Sequence, residues 1–262
     1  MAIEMSTPDL RPLLMHVVYR FDTGGVENGL VNLINHLPVS EYRHMVVALT
    51  EVTPFAQRVR AADVEFVSLH KGPGHAFRLY LHLYRLMKQH RPAIVHTRNI
   101  AALEAVVPAW AAGVPVRIHG EHGRDVGDLD SRNRAQPRWP RVYRAFVTHY
   151  VAPSRDLAEC LLQHIRVPAK AVTQIYNGVD TVKFKPAAPD GERPARWPFG
   201  GGLNWVVGTV GRMQTVKNQT TLVDAFLGFD RATAAPARAA ACGAGWQLGA
   251  IGSALTRVRE AM

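Results

Sequence analysis

The chain has 262 residues, 47% of them hydrophobic, with a formal net charge of +10. That length allows one large domain or two modest ones, each with enough apolar material for a core. No apolar run approaches the roughly 20 residues of a membrane-spanning helix, and Leu13–Tyr19 lacks a cleavable signal layout, so the protein reads as made and kept in the cytoplasm. Cys160 and Cys242 stand far apart without a partner cluster, against a disulfide framework and against a structural zinc site. The basic balance points to an anionic partner (nucleic acid, phospholipid headgroups or a phosphorylated substrate), unless it reflects the free Arg usage of a GC-rich gene.

In chain order, Leu13–Tyr19 reads as a buried strand, and Val26–Leu37 carries Leu30, Leu33, Ile34 and Leu37 at helical spacing. Met45–Leu49 and Val64–Leu69 read as strands. Ala76–Gln89 reads as a helix with Leu79, Leu83, Leu86 and Met87 on one side. Ala93–Thr97 is a strand, and Ile100–Ala112 an Ala-rich helix stopped by Gly113. Strands follow at Val116–His119, Tyr150–Ala152 and Val172–Tyr176, with Ser154 as N-cap of a helix running to Ile165. Strands alternating with helices, most of them apolar on both sides, predict a doubly wound α/β domain with a parallel sheet. Ligands of such a domain sit beyond the carboxyl ends of the strands.

The expected organisation is an N-terminal tail at 1–12, a Rossmann-like domain at 13–186 and a Pro- and Gly-rich linker at 187–204. A strand at Trp205–Val210 and a helix from about Asn218 to Phe229 open a second domain over 205–230. Residues 231–262 are Ala-rich, with no convincing strand and weak helical periodicity. They read as out-of-frame translation of a GC-rich gene, or as an ordinary Ala-rich helix or tail.

Four stretches could carry the chemistry. Asp22-Thr23-Gly24-Gly25 precedes a helix, and two glycines there let backbone N–H groups approach an anion, although a tight βα turn needs glycine anyway. It is not the dinucleotide fingerprint, whose third glycine is absent. His119-Gly120-Glu121-His122-Gly123-Arg124-Asp125 gathers titratable groups at a strand end. These are functional or solvated, and their spacing is not that of a helical zinc motif. Arg132, Arg134, Arg138, Arg141 and Arg144 interleave with Trp139, Val142, Tyr143 and Phe146. This suits contact with an anionic membrane or a lipid diphosphate, or else a solvated face whose aromatics belong to the core. No nucleic-acid module is recognisable. Finally, Gly211-Arg212 with Lys217 places two cations near a helix start, as a diphosphate requires, though a surface loop would look the same.

Together these strings resemble family-4 glycosyltransferases over about Leu13 to Phe229. Asp22-Thr23-Gly24-Gly25-Val26-Glu27 is similar to the family's N-terminal glycine loop, and Glu121-His122-Gly123 to its strand-end His motif. Ile175-Tyr176-Asn177-Gly178-Val179-Asp180 with Phe184-Lys185-Pro186 is similar to the approach to its interdomain linker, and Gly211-Arg212 with Lys217 to its donor-diphosphate pair. The wording of the chain is similar to sugar transferases associated with exosortase (PEP-CTERM) exopolysaccharide systems.

The resemblance implies a GT-B architecture of two Rossmann-like domains facing across a cleft. It implies transfer of a sugar from a nucleotide diphosphate to a hydroxyl of a glycan or lipid-linked acceptor, with retention and without a metal or other cofactor. His122 would contact the donor sugar or reacting region, with His119 and Glu121 as further catalytic candidates. Gly24, Gly25, Arg212 and Lys217 would bind the donor phosphates, and Asn99, Arg124, Asn177 and Gly178 would line the acceptor side or cleft. The family's Gly-Asp-Gly-Pro-like turn and Glu-x7-Glu motif are not found after Asp230. On that ground the donor-side domain is expected to be truncated and the chain weakly active or inactive. The alternatives are a non-catalytic acceptor-binding remnant and a GT-B nucleotide-sugar epimerase.

Overall fold

The computed structural model describes residues 9–72, 77–122, 139–182, 184–186, 205–210, 217–233 and 237–242. The chain divides into two units, 1–184 and 185–262.

The first unit is built on strands β1 (Leu13–Val18), β2 (Arg43–Ala48), β3 (Glu65–Ser68), β4 (Ile94–Arg98), β5 (Val116–Gly120), β6 (His149–Ala152) and β7 (Val172–Gln174). All pairings are parallel, in the order β3-β2-β1-β4-β5-β6-β7. This is the doubly wound, Rossmann-like α/β fold. The order reverses direction between β1 and β4, and in such sheets the crevice for ligands opens there, at the carboxyl ends.

Alternation along the strands assigns the two faces. Leu13, Met15 and Val17 of β1 turn one way, into a core with Met45, Val47, Val95, and Leu79, Leu83 and Met87 of helix α2 (Phe77–His90). Val18, Val46 and Ala48 turn the other way, against Leu30, Val31 and Ile34 of helix α1 (Gly25–His36). A third cluster joins Leu103, Val106, Val147, Tyr150, Ala152, Leu161 and Val167. β1 is buried along its full length because helices cover both its faces.

The expected helix over Ile100–Ala112 is two helices, α3 (Ile100–Leu103) and α4 (Val106–Ala111). Pro108 explains the break: it has no N–H to give, and its ring crowds the carbonyl four residues back, at Glu104. Helix α5 (Trp139–Tyr143) precedes β6. Helix α6 (Arg155–Cys160) is capped by Ser154, whose Oγ accepts from the Leu157 N–H at 3.2 Å. It continues as a π-type turn, Leu161–Ile165, closed by Arg166 in the left-handed region. Arg141 Nε and Arg144 Nη1 donate to the carbonyls of His164 and Arg166 at this end. Tyr143 and Phe146 pack against the third core cluster. Two guanidiniums of the Arg-rich stretch thus satisfy the open end of a helix, where cations are favoured.

In the second unit, β8 (Trp205–Val210) and β9 (Ala237–Cys242) pair in parallel, and helix α7 (Gln219–Thr233) lies between them in the chain. β9 corrects the reading of that segment as strandless. Alanine has little β-propensity, so Ala237–Cys242 leaves almost no local signal, and the strand shows only through its pairing with β8. The tail beyond residue 242, the linker and residues 1–8 lie outside the described residues. Among the described residues no helix is long and apolar enough to cross a membrane.

Candidate functional site

The loop after β1 is tied down by Asp22. Its Oδ1 accepts from the Thr23 N–H at 2.7 Å and from Thr53 Oγ1 at 3.1 Å, and its Oδ2 accepts from Arg20 Nε at 3.1 Å. The backbone bond from Thr23 is the main reason its carboxyl titrates below the usual range. Gly24 is the N-cap of α1, and its carbonyl accepts from the Asn28 N–H at 2.9 Å. A Cβ on Gly24 would collide with the Glu27 carboxylate, whereas one on Gly25 would meet nothing within 4 Å. The two glycines therefore differ. Gly24 makes room for a folded-back Glu27, and Gly25 leaves the start of a 12-residue helix open, where an anion is favoured.

Beneath that helix start lies Arg98, at the carboxyl end of β4. Its Nη1 donates to the Val26 carbonyl at 2.6 Å, and a Cβ on Gly29 would come within 3.4 Å of it. Its Nε is buried and has no hydrogen-bond partner among the described residues. Burial lowers its pKa to about 10, opposed by the nearby Glu27 carboxylate, so it stays cationic at neutral pH. A cation in such a place is costly unless compensated. The Val26 carbonyl and Glu27 compensate part of the charge, and a phosphate would complete it. Asn99, next in the chain, adopts φ 60 and ψ 158, a region that side chains other than glycine avoid. Its N–H donates to the Gly120 carbonyl at 2.9 Å, which holds the strained residue against β5.

The His motif after β5 splits between the two faces of the sheet. His119 is fully buried on the α2 side. Its Nδ1 lies 2.8 Å from Thr97 Oγ1, its Nε2 3.4 Å from Glu121 Oε2, and its ring meets Tyr150 edge-on at 5.7 Å. A carboxylate only accepts, so His119 Nε2 donates to Glu121, while Thr97 Oγ1 bonds its Nδ1. His119 is thus committed to holding Glu121. His122 turns to the α1 side and is half-buried. A Cβ on Gly120 would lie 3.0 Å from its Nε2 and 3.4 Å from the Nε2 of His96. Burial, with Arg98 and His119 nearby, lowers the His122 pKa to about 4, so its ring is neutral at physiological pH.

Behind His96 the imidazoles continue. His96 Nδ1 is 3.1 Å from His16 Nδ1, and His16 Nε2 is 3.1 Å from His44 Nδ1. Residues 44, 16 and 96 stand on three adjacent strands, β2, β1 and β4, on the α1 face. Desolvation lowers all three: His16 to about 3, His96 well below its ordinary value, and His44 in the same direction.

Of the residues singled out in the sequence, the structure therefore gathers Gly24, Gly25, Asn99, Glu121 and His122 at the carboxyl end of the β1–β4–β5 region, with His119 beneath. Asn177 and Gly178 are exposed beyond β7. Lys217 is exposed in the second unit, just ahead of α7. Arg124 and Arg212 lie outside the described residues. Arg98, His96, His16 and His44 were not anticipated. The string His96-Thr97-Arg98-Asn99, closing a strand on the ligand side, was the available signal for the first two.

A helix N-terminus, a compensated cation and neutral imidazoles converging on a switch point suit an anionic, oxygen-rich ligand. The Glycosyltransferase Family 4 model matches residues 23–183, more than half of the chain, and spans Gly24, Gly25, Arg98, Asn99, Glu121 and His122. A UDP-Gal:alpha-D-GlcNAc-diphosphoundecaprenol alpha-1,3-galactosyltransferase of Escherichia coli is 26% identical over 146 residues, 55% of this chain and 38% of that enzyme. Among solved structures, a glycosyltransferase from Rickettsia africae ESF-5 superposes with TM-score 0.70 at 16% identity, covering 96% of this chain and 65% of the other. HepE of Anabaena in complex with UDP-glucose superposes with TM-score 0.67 at 15% identity, covering 94% and 65%. The chain thus spans less than two thirds of each of these proteins, and the structural likenesses speak for the fold. With the family match over most of the first unit, the conclusion is that this chain belongs to glycosyltransferase family 4.

Proposed function

We propose that the protein takes part in transferring a sugar from a nucleotide-diphosphate donor to an acceptor hydroxyl, with retention of anomeric configuration. The observation that carries this reading is the buried Arg98 guanidinium beneath the open N-terminus of α1. Its Nε lacks a partner among the described residues, and the neutral His122 ring stands nearby. Cations and oriented N–H groups of this kind stabilise the charge that develops on a departing diphosphate. His122 faces the sugar or the reacting oxygen, Glu121 is oriented by His119, and Gly24 and Gly25 keep the helix start accessible. Arg212 and Lys217 bind donor phosphate, and Asn99, Arg124, Asn177 and Gly178 contact the acceptor side.

The E. coli relative's name, with its UDP-sugar and its lipid-diphosphate acceptor, supports a nucleotide-sugar donor and a glycan or lipid-linked acceptor. The Arg-rich stretch would meet that acceptor's diphosphate at a membrane surface, and the product would belong to exopolysaccharide or other glycoconjugate synthesis, of the exosortase-associated kind.

The test incubates the purified chain with radiolabelled UDP-sugars and a polyprenyl-diphosphate N-acetylglucosamine acceptor. Weak label is expected in the lipid fraction, with the donor's anomeric configuration by NMR, and is expected to be lost in Arg98→Ala and His122→Ala; ordinary turnover would refute the expected truncation of the donor side. Binding of the acceptor without binding or cleavage of any sugar nucleotide would overturn the transfer reading in favour of a non-catalytic acceptor-binding protein.

A further inference from the structure

The three histidines behind the site have no role in the reading above. Resting on that reading of the β4–β5 edge, we propose that the file His44–His16–His96 is a tautomer relay, and that His96 is a positioning residue presenting Nε2–H toward His122.

A neutral imidazole has one donor and one acceptor nitrogen. The two contacts, His44 Nδ1 to His16 Nε2 and His16 Nδ1 to His96 Nδ1, are both 3.1 Å and each needs one proton. Burial keeps the rings neutral. Three neutral rings can satisfy both contacts in two ways, and the file must run wholly in one direction or wholly in the other.

The far end decides the direction. His44 Nε2 is buried without a hydrogen-bond partner among the described residues. If the file ran toward β2, that nitrogen would carry an N–H with no acceptor. If it runs toward β4, the nitrogen has only an idle lone pair. Orphaned buried donors are the rarer and costlier defect. The file therefore runs from His44 Nδ1–H to His16 Nε2, and from His16 Nδ1–H to His96 Nδ1. His96 is left with its proton on Nε2.

That nitrogen has a defined surrounding. The Nε2 atoms of His96 and His122 flank the same point, where a Cβ on Gly120 would lie 3.4 Å from one and 3.0 Å from the other. Glycine at 120 leaves this gap open. A donor presented into this gap by His96 favours a lone pair on His122 Nε2 and a proton on its Nδ1. One tautomer of the ring at the transfer site is thereby selected from three strands away. A metal shell is a poor account of the same rings. They bond to one another in a row, and among the described residues no three His, Cys, Asp or Glu side chains are grouped to hold an ion.

The test is long-range 1H–15N correlation spectroscopy of the imidazoles in the full chain at pH 7, without substrate, assigned by single substitutions. The expected result is His44 and His16 protonated at Nδ1 and His96 at Nε2. His16→Gln, whose amide can accept from His44 and donate to His96, should keep that pattern. His16→Leu cuts the file and should give mixed His96 and His122 tautomers, with kcat lowered about tenfold and KM nearly unchanged. Should His16→Leu not fold, His44→Leu removes the first donor and should mix the tautomers in the same way. A wild-type His96 protonated at Nδ1 or carrying charge, or tautomers indifferent to a cut file, would overturn the proposal. The spectra need no turnover. If they match while no sugar transfer is found, the transfer reading fails and the relay stands; a wrong tautomer in an active chain sinks the relay alone.

Discussion

The two faces of the sheet near its carboxyl edge handle histidine in opposite ways. On the α2 side, His119 is fully buried but closes on itself: a threonine hydroxyl at one nitrogen, a carboxylate at the other and a tyrosine ring at its edge. On the α1 side, His44, His16 and His96 form a row that starts at a nitrogen with no hydrogen-bond partner among the described residues and ends beside Gly120 and His122. A closed group mainly holds geometry. An open-ended row carries its polarity from one end to the other. Burial alone does not separate structural from functional histidines; where the hydrogen bonds end does.

The largest expected effect that could break this contrast is acid sensitivity. The fold keeps His16 near pKa 3 against an ordinary 6.5, so the unfolded chain binds the proton first. Stability is full above pH 6.5, falls as the pH drops and levels out near pH 3, at on the order of 1.4 kcal/mol per pH unit. The groups facing this ring are His44, His96 and Arg98. Urea unfolding across that range should flatten in His16→Leu, and an unchanged slope would mean that the α1-side rings are not held neutral by burial.

Next is catalysis. His122→Ala should lower kcat of sugar transfer about 100-fold, and Gly120→Ala about tenfold by pushing the His122 ring aside. Thr97→Val, on the α2 side, should leave kcat within about twofold while costing about 1–2 kcal/mol in urea unfolding, because His119 Nδ1 loses its partner. Equal losses of kcat in His122→Ala and Thr97→Val would erase the distinction between the faces. The smallest effect lies at the seam. Asn99→Gly should raise stability by about 1 kcal/mol by relieving its φ of 60, read as a higher urea midpoint at unchanged slope.

Local sequence signals are enough to specify the doubly wound first unit. Short β-branched runs such as Val46-Val47 and spaced apolar positions such as Leu79, Leu83 and Leu86 are local, periodic signals. Gly24-Gly25 before a helix and Glu121-His122 after a strand could likewise be placed on the ligand side, because strand direction follows from the βα alternation. What the tertiary structure alone decided is adjacency. His16, His44 and His96 are up to 80 residues apart along the chain, and only the strand order, with β1 between β2 and β4, makes them neighbours. The same order slides Arg98 beneath α1; in the second unit, pairing with β8 is what makes Ala237–Cys242 a strand. Periodicity tells which side of its own strand a residue takes, but hydrogen bonds between distant strands choose which residues share that side.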